Sequence, residues 1–324
     1  MPQVLISEAI LGDAVDALQR QFNVSCRPDL WKDADALARD IPEAQALIVR
    51  NQTRVDADLL GRANRLQVVA RAGVGLDNID VETASAAGIV VTWTPEQNAV
   101  SVAELTLGLF VALARRIPAA DLHTKAGQWN RQAFHGIELA GKTLGVVGFG
   151  RIGFLVAMRA RAFGMRVLAH DTWIGPDAVT LTETGARLTD LDELLRQSDF
   201  VSVHLPSTPQ TRGLFNAERF AMMKPQAFFV NAARGDLVDE TALADALQAS
   251  RLAGAALDVR AVEPPGDSPL HAMDCVILTP HIAAFTEEAQ VRVVAAVCAD
   301  VASVLRGEPA RYFANFPKPR RAVR

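Results

Sequence analysis

The chain has 324 residues, which at about 150 residues per domain predicts roughly two domains. Half of the residues are apolar and 22% are charged, a balance that supports a large buried core and excludes a disordered chain or a small disulfide-stapled scaffold. Lys and Arg number 33 against 37 Asp and Glu, a formal net charge of −4, so no basic excess is present to drive general nucleic-acid binding.

The first residues, MPQVLISEAI, carry neither the basic region nor the apolar run of a signal peptide, and a cytoplasmic location is expected. Strands are predicted at 4–6, 46–49, 68–70 and 89–92. The most apolar stretch, 99–114, contains Ser101, Glu104 and Thr106 and is too short to span a bilayer. It predicts a buried helix, and no membrane partner is expected. A second series of strands follows at 144–148, 166–169, 200–204, 228–231, 255–257 and 276–278, separated by amphipathic segments such as 192–197 and 240–249. Near-continuous apolar strands alternating with helices predict parallel sheets covered on both faces. Two such series separated by one long helix predict an α/β protein of two doubly wound parallel-sheet domains. No repeat of 20–50 residues is visible, which excludes a solenoid. Cys26, Cys275 and Cys298 are scattered, without CxxC or Cys/His ligand spacing, so a reduced compartment and no metal site are expected. The basic run Lys318-Pro319-Arg320-Arg321 is expected to be a frayed, solvated end.

The segment KTLGVVGFGRIG (142–153) places Gly148, Gly150 and Gly153 as G-x-G-x-x-G between a strand and a helix. Gly148 permits the tight turn, Gly150 lets a pyrophosphate approach the backbone, and Gly153 lets the helix pack close to the strand. The helix N-terminus then offers free N–H groups and a positive dipole end to the diphosphate. The next strand ends at Asp171, 21 residues after Gly150, where a carboxylate accepts from ribose hydroxyls and repels a 2′-phosphate. The spelling alone fits a ligand-free turn, and an Asp ending a strand is often only a turn former. Strand, helix and acid in the right order favour a dinucleotide, NAD over NADP.

Three later strands each deliver one chemical group to the carboxyl edge where open α/β sheets bind ligands. They are Arg234 in FFVNAARG (228–235), Glu263 after ALDV (256–259), and His281 in LTPHIAA (278–284). Singly, Arg234 reads as a surface ion-pair former, Glu263 as a loop acid and His281 as a structural histidine. Together on a dinucleotide fold they suit hydride transfer between nicotinamide and a 2-oxo or 2-hydroxy acid. His281 is the acid/base. Glu263 accepts from its other ring nitrogen, and Arg234 binds the substrate carboxylate as a fork and polarises the carbonyl. Asp258 lies near the nicotinamide. His123, His135, His170, His204 and His271 have no comparable setting and are read as structural.

These segments, with HLPSTPQTRGLFN (204–216) and MKPQAFFVNAARGDLVDE (223–240), resemble the D-isomer-specific 2-hydroxyacid dehydrogenase family, closest in pattern to its D-3-phosphoglycerate dehydrogenase branch. The resemblance runs from VRNQTRV (49–55) to the C-terminal helix. It implies a flavodoxin-like substrate domain, 1–98 and 285–324, interrupted by a Rossmann NAD-binding domain, 99–284, through which the protein forms a homodimer. It implies that Arg234, Glu263 and His281 are the catalytic set. It gives cofactor contacts to Arg151, Ile152, Asp171, Pro206, Ala232, Ala233, Arg234, Asp258, His281 and Ala284. It also makes the turn Gly73-Val74-Gly75 an anion-binding nest for the substrate carboxylate. Without the family, that turn reads equally as a tight turn with no ligand. Arg50, Asn51 and Asn98 match substrate-facing positions, and Arg131 matches an arginine that holds a substrate phosphate. Unaided, Trp129 and Arg131 read as an amphipathic packing pair.

The chain departs from the pattern at several places. Ala283 and Phe285 follow His281 where glycine is common after the isoleucine, Arg260 stands where an aromatic residue commonly follows the valine, and Val74 replaces a threonine of some phosphoglycerate enzymes. The C-terminal regulatory domain of some members is not expected in this chain. These departures bear on the substrate and leave the chemistry in place. Two rival readings stand beside the main one. An NADP-linked glyoxylate/hydroxypyruvate reductase would prefer a basic residue where Asp171-Thr172-Trp173 stands. A dinucleotide-sensing corepressor-like protein would use the same fold for binding without turnover.

Overall fold

The computed structural model describes residues 2–320, and Arg321 of the basic run lies outside them. The chain divides into two units: residues up to Asn98 together with those from Glu287 onward, and Ala99–Thr286.

In the first unit, β1 (Val4–Ile6), β2 (Val24–Cys26), β3 (Ala46–Val49), β4 (Val68–Arg71) and β5 (Val90–Thr92) form one parallel sheet. Their spatial order is β2-β1-β3-β4-β5, the flavodoxin-like winding. β1, β3 and β5 are buried along their whole length, because helices cover both faces. The helix Glu287–Leu305 supplies one cover, with Val293, Val294, Val297 and Val301 packed on Val4, Ile6, Ile48 and Val68. Beyond it, the buried Asp300 carboxylate accepts Arg311 N at 2.7 Å and Tyr312 N at 3.2 Å. That lays the following residues antiparallel beside β5, with Ala314 N donating to the Val91 carbonyl at 2.8 Å. The basic run is tied down as far as it is described, rather than frayed. Arg320 N donates to the Gly88 carbonyl at 2.9 Å, and its guanidinium lies 4.3 Å from the Phe316 ring centre.

In the second unit, β6 (Thr143–Val147), β7 (Arg166–His170), β8 (Arg187–Leu188), β9 (Phe200–Val203), β10 (Ala227–Asn231), β11 (Leu252–Leu257) and β12 (Val276–Leu278) form a parallel sheet of order β12-β11-β10-β9-β6-β7-β8. The winding reverses between β6 and β9, so their carboxyl ends flank the point where such sheets bind ligands. The helix Ala99–Ala114 packs on this sheet through residues including Leu107, Phe110 and Leu113. Phe110 meets Phe200 edge-on at 5.2 Å between ring centres, and Phe200 stacks on Phe228 at 5.1 Å. The short edge strands β2 and β8 are absent from the sequence-based expectation, because neither carries the apolar run that marks a fully buried strand.

Replacing the wholly buried Phe110 with alanine removes the ring that meets Phe200, and should cost about 3–5 kcal/mol. Urea unfolding checks this; a variant with the parent's midpoint would contradict the packing described.

Candidate active site

The second unit's site begins at the turn after β6. Gly148 has φ +91°, and a Cβ there would lie 2.6 Å from the His204 carbonyl oxygen. A Cβ on Gly153 would collide with the Gly148 carbonyl oxygen, so helix and strand pack at backbone distance. At Gly150 the space is open, with nothing within 4 Å of where a Cβ would stand. Gly150 caps the helix Arg151–Ala162 with no side chain on its first N–H groups. Those donors have no intrahelical partner and face a roomy turn, the arrangement that cradles a diphosphate. Asp171, after β7, accepts Phe149 N at 2.7 Å through Oδ2 and Trp173 N at 2.8 Å through Oδ1. This holds a carboxylate beside the turn. These features fit a dinucleotide.

The loops after β9 and β10 are stitched together. Pro206 opens the first, and its carbonyl accepts the Thr211 hydroxyl at 2.7 Å. Ser207 Oγ and Arg212 Nε both donate to Asp236 Oδ2, at 2.5 and 3.2 Å. At the end of β10, Asn231 takes Ala233 N on Oδ1 at 3.0 Å and gives Nδ2 to the Arg234 carbonyl at 2.7 Å. That shapes the turn from Ala232 to Arg234. Val102, Ala232 and Ala283 form a small buried apolar cluster, with Ile152 and Ala284 against it.

After β11, Asp258 is buried. Its Oδ1 accepts the Thr279 hydroxyl at 2.6 Å and Ile282 N at 2.9 Å, and its Oδ2 accepts Ala283 N at 2.8 Å. Its carbonyl accepts His281 N at 2.8 Å. These bonds hold His281 at φ +57°, a left-handed conformation that costs a non-glycine residue about 1–3 kcal/mol. Asp258 is thus engaged with its own chain, as the anchor of the histidine turn.

His281 Nδ1 lies 2.7 Å from Glu263 Oε2. Glu263 Oε1 accepts Arg260 N at 3.0 Å. Burial alone would push the Glu263 carboxyl up. Hydrogen bonds from His281 and the Arg260 amide, with the charges of His281 and Arg234, outweigh it and hold the group below the usual carboxylate range. His204 is its opposite: burial pushes it down to about 3 and keeps it neutral.

The first unit gathers its own loops. The buried Glu8 carboxylate accepts Arg50 N at 2.7 Å, Gln52 N at 3.0 Å and Thr53 N at 3.0 Å. Asn78 Nδ2 donates to the Arg50 and Thr53 carbonyls. Asn51 beside them is exposed. In the turn after β4, Gly73 has φ +153°, a Cβ there would collide with the Arg71 guanidinium, and Thr94 N holds the Gly73 carbonyl at 3.0 Å. Val74 and Gly75 follow, half-buried. Asn98 is buried, and its Oδ1 has no hydrogen-bond partner among the described residues. Arg131 opens an exposed turn, after a Trp129 that is 87% exposed, and takes no part in the bonds that tie the site together.

Glu8, Arg71, Thr279, Glu240 and Arg260 are the residues that sequence reasoning missed. For Arg71 the signal was its place before the glycine turn; for Thr279 it was the motif itself. Among the described residues, no group of three or more His, Cys, Asp or Glu side chains is arranged to hold a metal, and no helix is long and apolar enough to cross a membrane.

A family model described as D-isomer specific 2-hydroxyacid dehydrogenase, NAD binding domain, matches residues 107–283. The chain is 44% identical to a D-3-phosphoglycerate dehydrogenase of Methanocaldococcus jannaschii over 98% of its own length and 60% of that protein's. It therefore spans about 60% of the length of such a relative. Among solved structures, the TT0316 protein of Thermus thermophilus superposes with a TM-score of 0.89 at 37% identity, covering 96% of this chain and 99% of that one. A D-lactate dehydrogenase of Aquifex aeolicus, complexed with NAD and lactic acid, gives 0.86 at 29% identity, covering 97% and 99%.

Asp258→Asn would set an amide N–H against one of the donors its carboxylate now accepts. It should lower stability by about 1–3 kcal/mol, the cost of an unsatisfied buried donor. Chemical unfolding reads this, and an unshifted midpoint would show that the histidine turn does not need the charge.

Proposed function

Because the chain belongs to the D-isomer-specific 2-hydroxyacid dehydrogenase family, we propose that it is an NAD-dependent D-2-hydroxyacid dehydrogenase. It would interconvert a small 2-hydroxy acid and its 2-oxo acid. The observation that carries the reading is the 2.7 Å contact between His281 and Glu263, at the same sheet edge as the glycine turn.

NAD, when bound, supplies the hydride chemistry. The chain's own residues do the rest. Gly148, Gly150, Arg151, Ile152 and Gly153 hold the diphosphate, and Asp171 takes the ribose. Pro206, Ala232, Ala233 and Ala284 give the apolar and backbone surface beside them, and Asp258 keeps the last turn in place. Glu263 accepts the proton on His281 Nδ1, which fixes the tautomer and leaves Nε2 for exchange with substrate. In reduction the protonated His281 gives its Nε2 proton to the carbonyl oxygen; in oxidation the neutral ring takes the hydroxyl proton on Nε2. Arg234 binds the substrate carboxylate as a fork and polarises the carbonyl. Within the first unit, the Gly73-Val74-Gly75 turn is an anion-binding nest with the Arg71 cation beside it, and Arg50, Asn51 and Asn98 are substrate contacts.

For the substrate, the reading is 3-phosphoglycerate and its 2-oxo partner, with Arg131 on the phosphate. The 44% identity to a phosphoglycerate enzyme supports it. The same reading makes the protein a cytoplasmic homodimer joined through the NAD-binding domain. The helix Ile117–Lys125, which buries none of its residues and exposes Ile117 and Leu122, supports that face.

Two measurements test this. A panel of 2-oxo acids with NADH should give turnover greatest with phosphohydroxypyruvate. His281→Ala should then cut kcat by about 10²–10⁴ while NADH still binds. Full activity in that variant would refute the proton role, and silence of the whole panel would favour a binding protein. Asp171→Ala should weaken NADH binding and relax discrimination against NADPH. A parent enzyme that prefers NADPH would overturn the ribose assignment and favour the NADP-linked reductase.

A further inference from the structure

Behind Glu263 stands a second set of charges built around the buried Arg260. Glu240 opens the helix Glu240–Gln248, whose buried Leu243 and Leu247 seat it in the core and whose start is capped by Asp239. The Arg260 side chain is only 7% exposed and grips Glu240 as a fork, Nε to Oε1 at 3.0 Å and Nη2 to Oε2 at 2.5 Å. Its Nη1 lies 3.2 Å from His271 Nε2. Because arginine only donates, that histidine nitrogen accepts. Glu240 Oε1 also takes the backbone N–H of Ala261 at 3.0 Å. The helix therefore holds residues 260 and 261 by side chain and main chain at once.

The backbone of Arg260 is where this clamp meets the proton-transfer groups. Its N–H fixes Glu263 Oε1 at 3.0 Å, and the other oxygen of that carboxylate takes His281 Nδ1. On the other side, a Cβ on Gly235 would collide with the Arg260 main chain, so the residue after Arg234 packs directly upon it. A buried ion pair adds little to stability compared with apolar packing of the same volume. What a two-pronged fork does supply is a fixed direction.

We infer that Glu240 and Arg260 are positioning residues for the proton-transfer pair, acting through the Arg260 amide to aim the Glu263 carboxylate at His281. Neither touches substrate. The inference rests on the dehydrogenase reading for its kinetic consequence, but not for its structural one.

The test uses Arg260→Met, which keeps bulk and loses the fork, and Glu240→Gln as a second variant should the first fail to fold. Long-range ¹H–¹⁵N spectra of the ligand-free protein report which ring nitrogen of His281 carries the proton, with His281→Asn identifying the signal. The parent should hold the proton on Nδ1. Both variants should lose that preference, and Arg260→Lys should restore part of it. In turnover, each variant should lose about 10- to 100-fold in kcat with little change in KM for NADH, as misplacement of a catalytic group does. Glu263 ionises at a lowered pH in the parent, and freed from the Arg260 amide it ionises at a higher one. The acid limb of the rate profile should therefore move up in pH. In a Glu263→Gln background, Arg260→Met should cost nothing more. An unchanged His281 tautomer in a folded variant, or losses that multiply in the double variant, would overturn the clamp. If the parent turned over no 2-oxo acid at all, the dehydrogenase reading would fail, while the tautomer would still decide the clamp.

Discussion

Carboxylates at strand ends that gather backbone N–H groups from a neighbouring loop hold this protein's working edges in shape. Glu8, after β1, collects three amides of the loop after β3. Asp171, after β7, collects one from the glycine turn after β6. Asp258, after β11, collects two amides and a hydroxyl from the loop after β12. Each acid sits at the carboxyl end of one strand and serves the loop of the strand beside it. A parallel sheet leaves its connecting loops long and irregular, with donors that need partners. A carboxylate offers about four acceptor sites in one small group, so a single residue can satisfy a whole turn. For Glu8 and Asp258, which are buried, those bonds offset the cost of enclosing the charge.

Histidine chemistry in the molecule follows from the same contrast between enclosure and access. His204 and His281 both stand just beyond a strand of the same sheet. His204 is largely enclosed and stays neutral. The side chain of His281 is 43% exposed and has a carboxylate on one ring nitrogen. On the dehydrogenase reading, only the second meets a bound molecule, and Glu263 fixes its orientation there.

Much of this was legible in the sequence, for identifiable reasons. The strands at 4–6, 46–49 and 276–278 and the helix at 99–114 coincide with the expected bounds; the first two are fully buried, and a buried parallel strand must be an unbroken apolar run. The glycine turn was legible because three glycines at that spacing have few other uses between a strand and a helix. Arg234, Glu263 and His281 stood out because each follows a strand. The clamp and the stitching acids were not legible. Glu240, Arg260 and Glu8 look in sequence like ordinary solvated charges, and their bonding comes from partners 20 to 45 positions away. His271 was read as having no special setting, yet one of its ring nitrogens meets Arg260. No local pattern encodes a contact of that range.

The lacing of residues 311–316 onto β5 has its own consequence. β5 is the outer strand of its sheet, short, wholly apolar but for Thr92, and built to pair. A bare outer strand of that kind is a template for another copy's strand, and so for aggregation. Here Ala314 N and the Asn315 side chain occupy the main-chain groups of Val91, Tyr312 takes the N–H of Trp93 just beyond it, and Asp300 pins the segment that brings them. The last stretch of the described chain thus works as a selvedge, guarding the first unit against fraying into its neighbours.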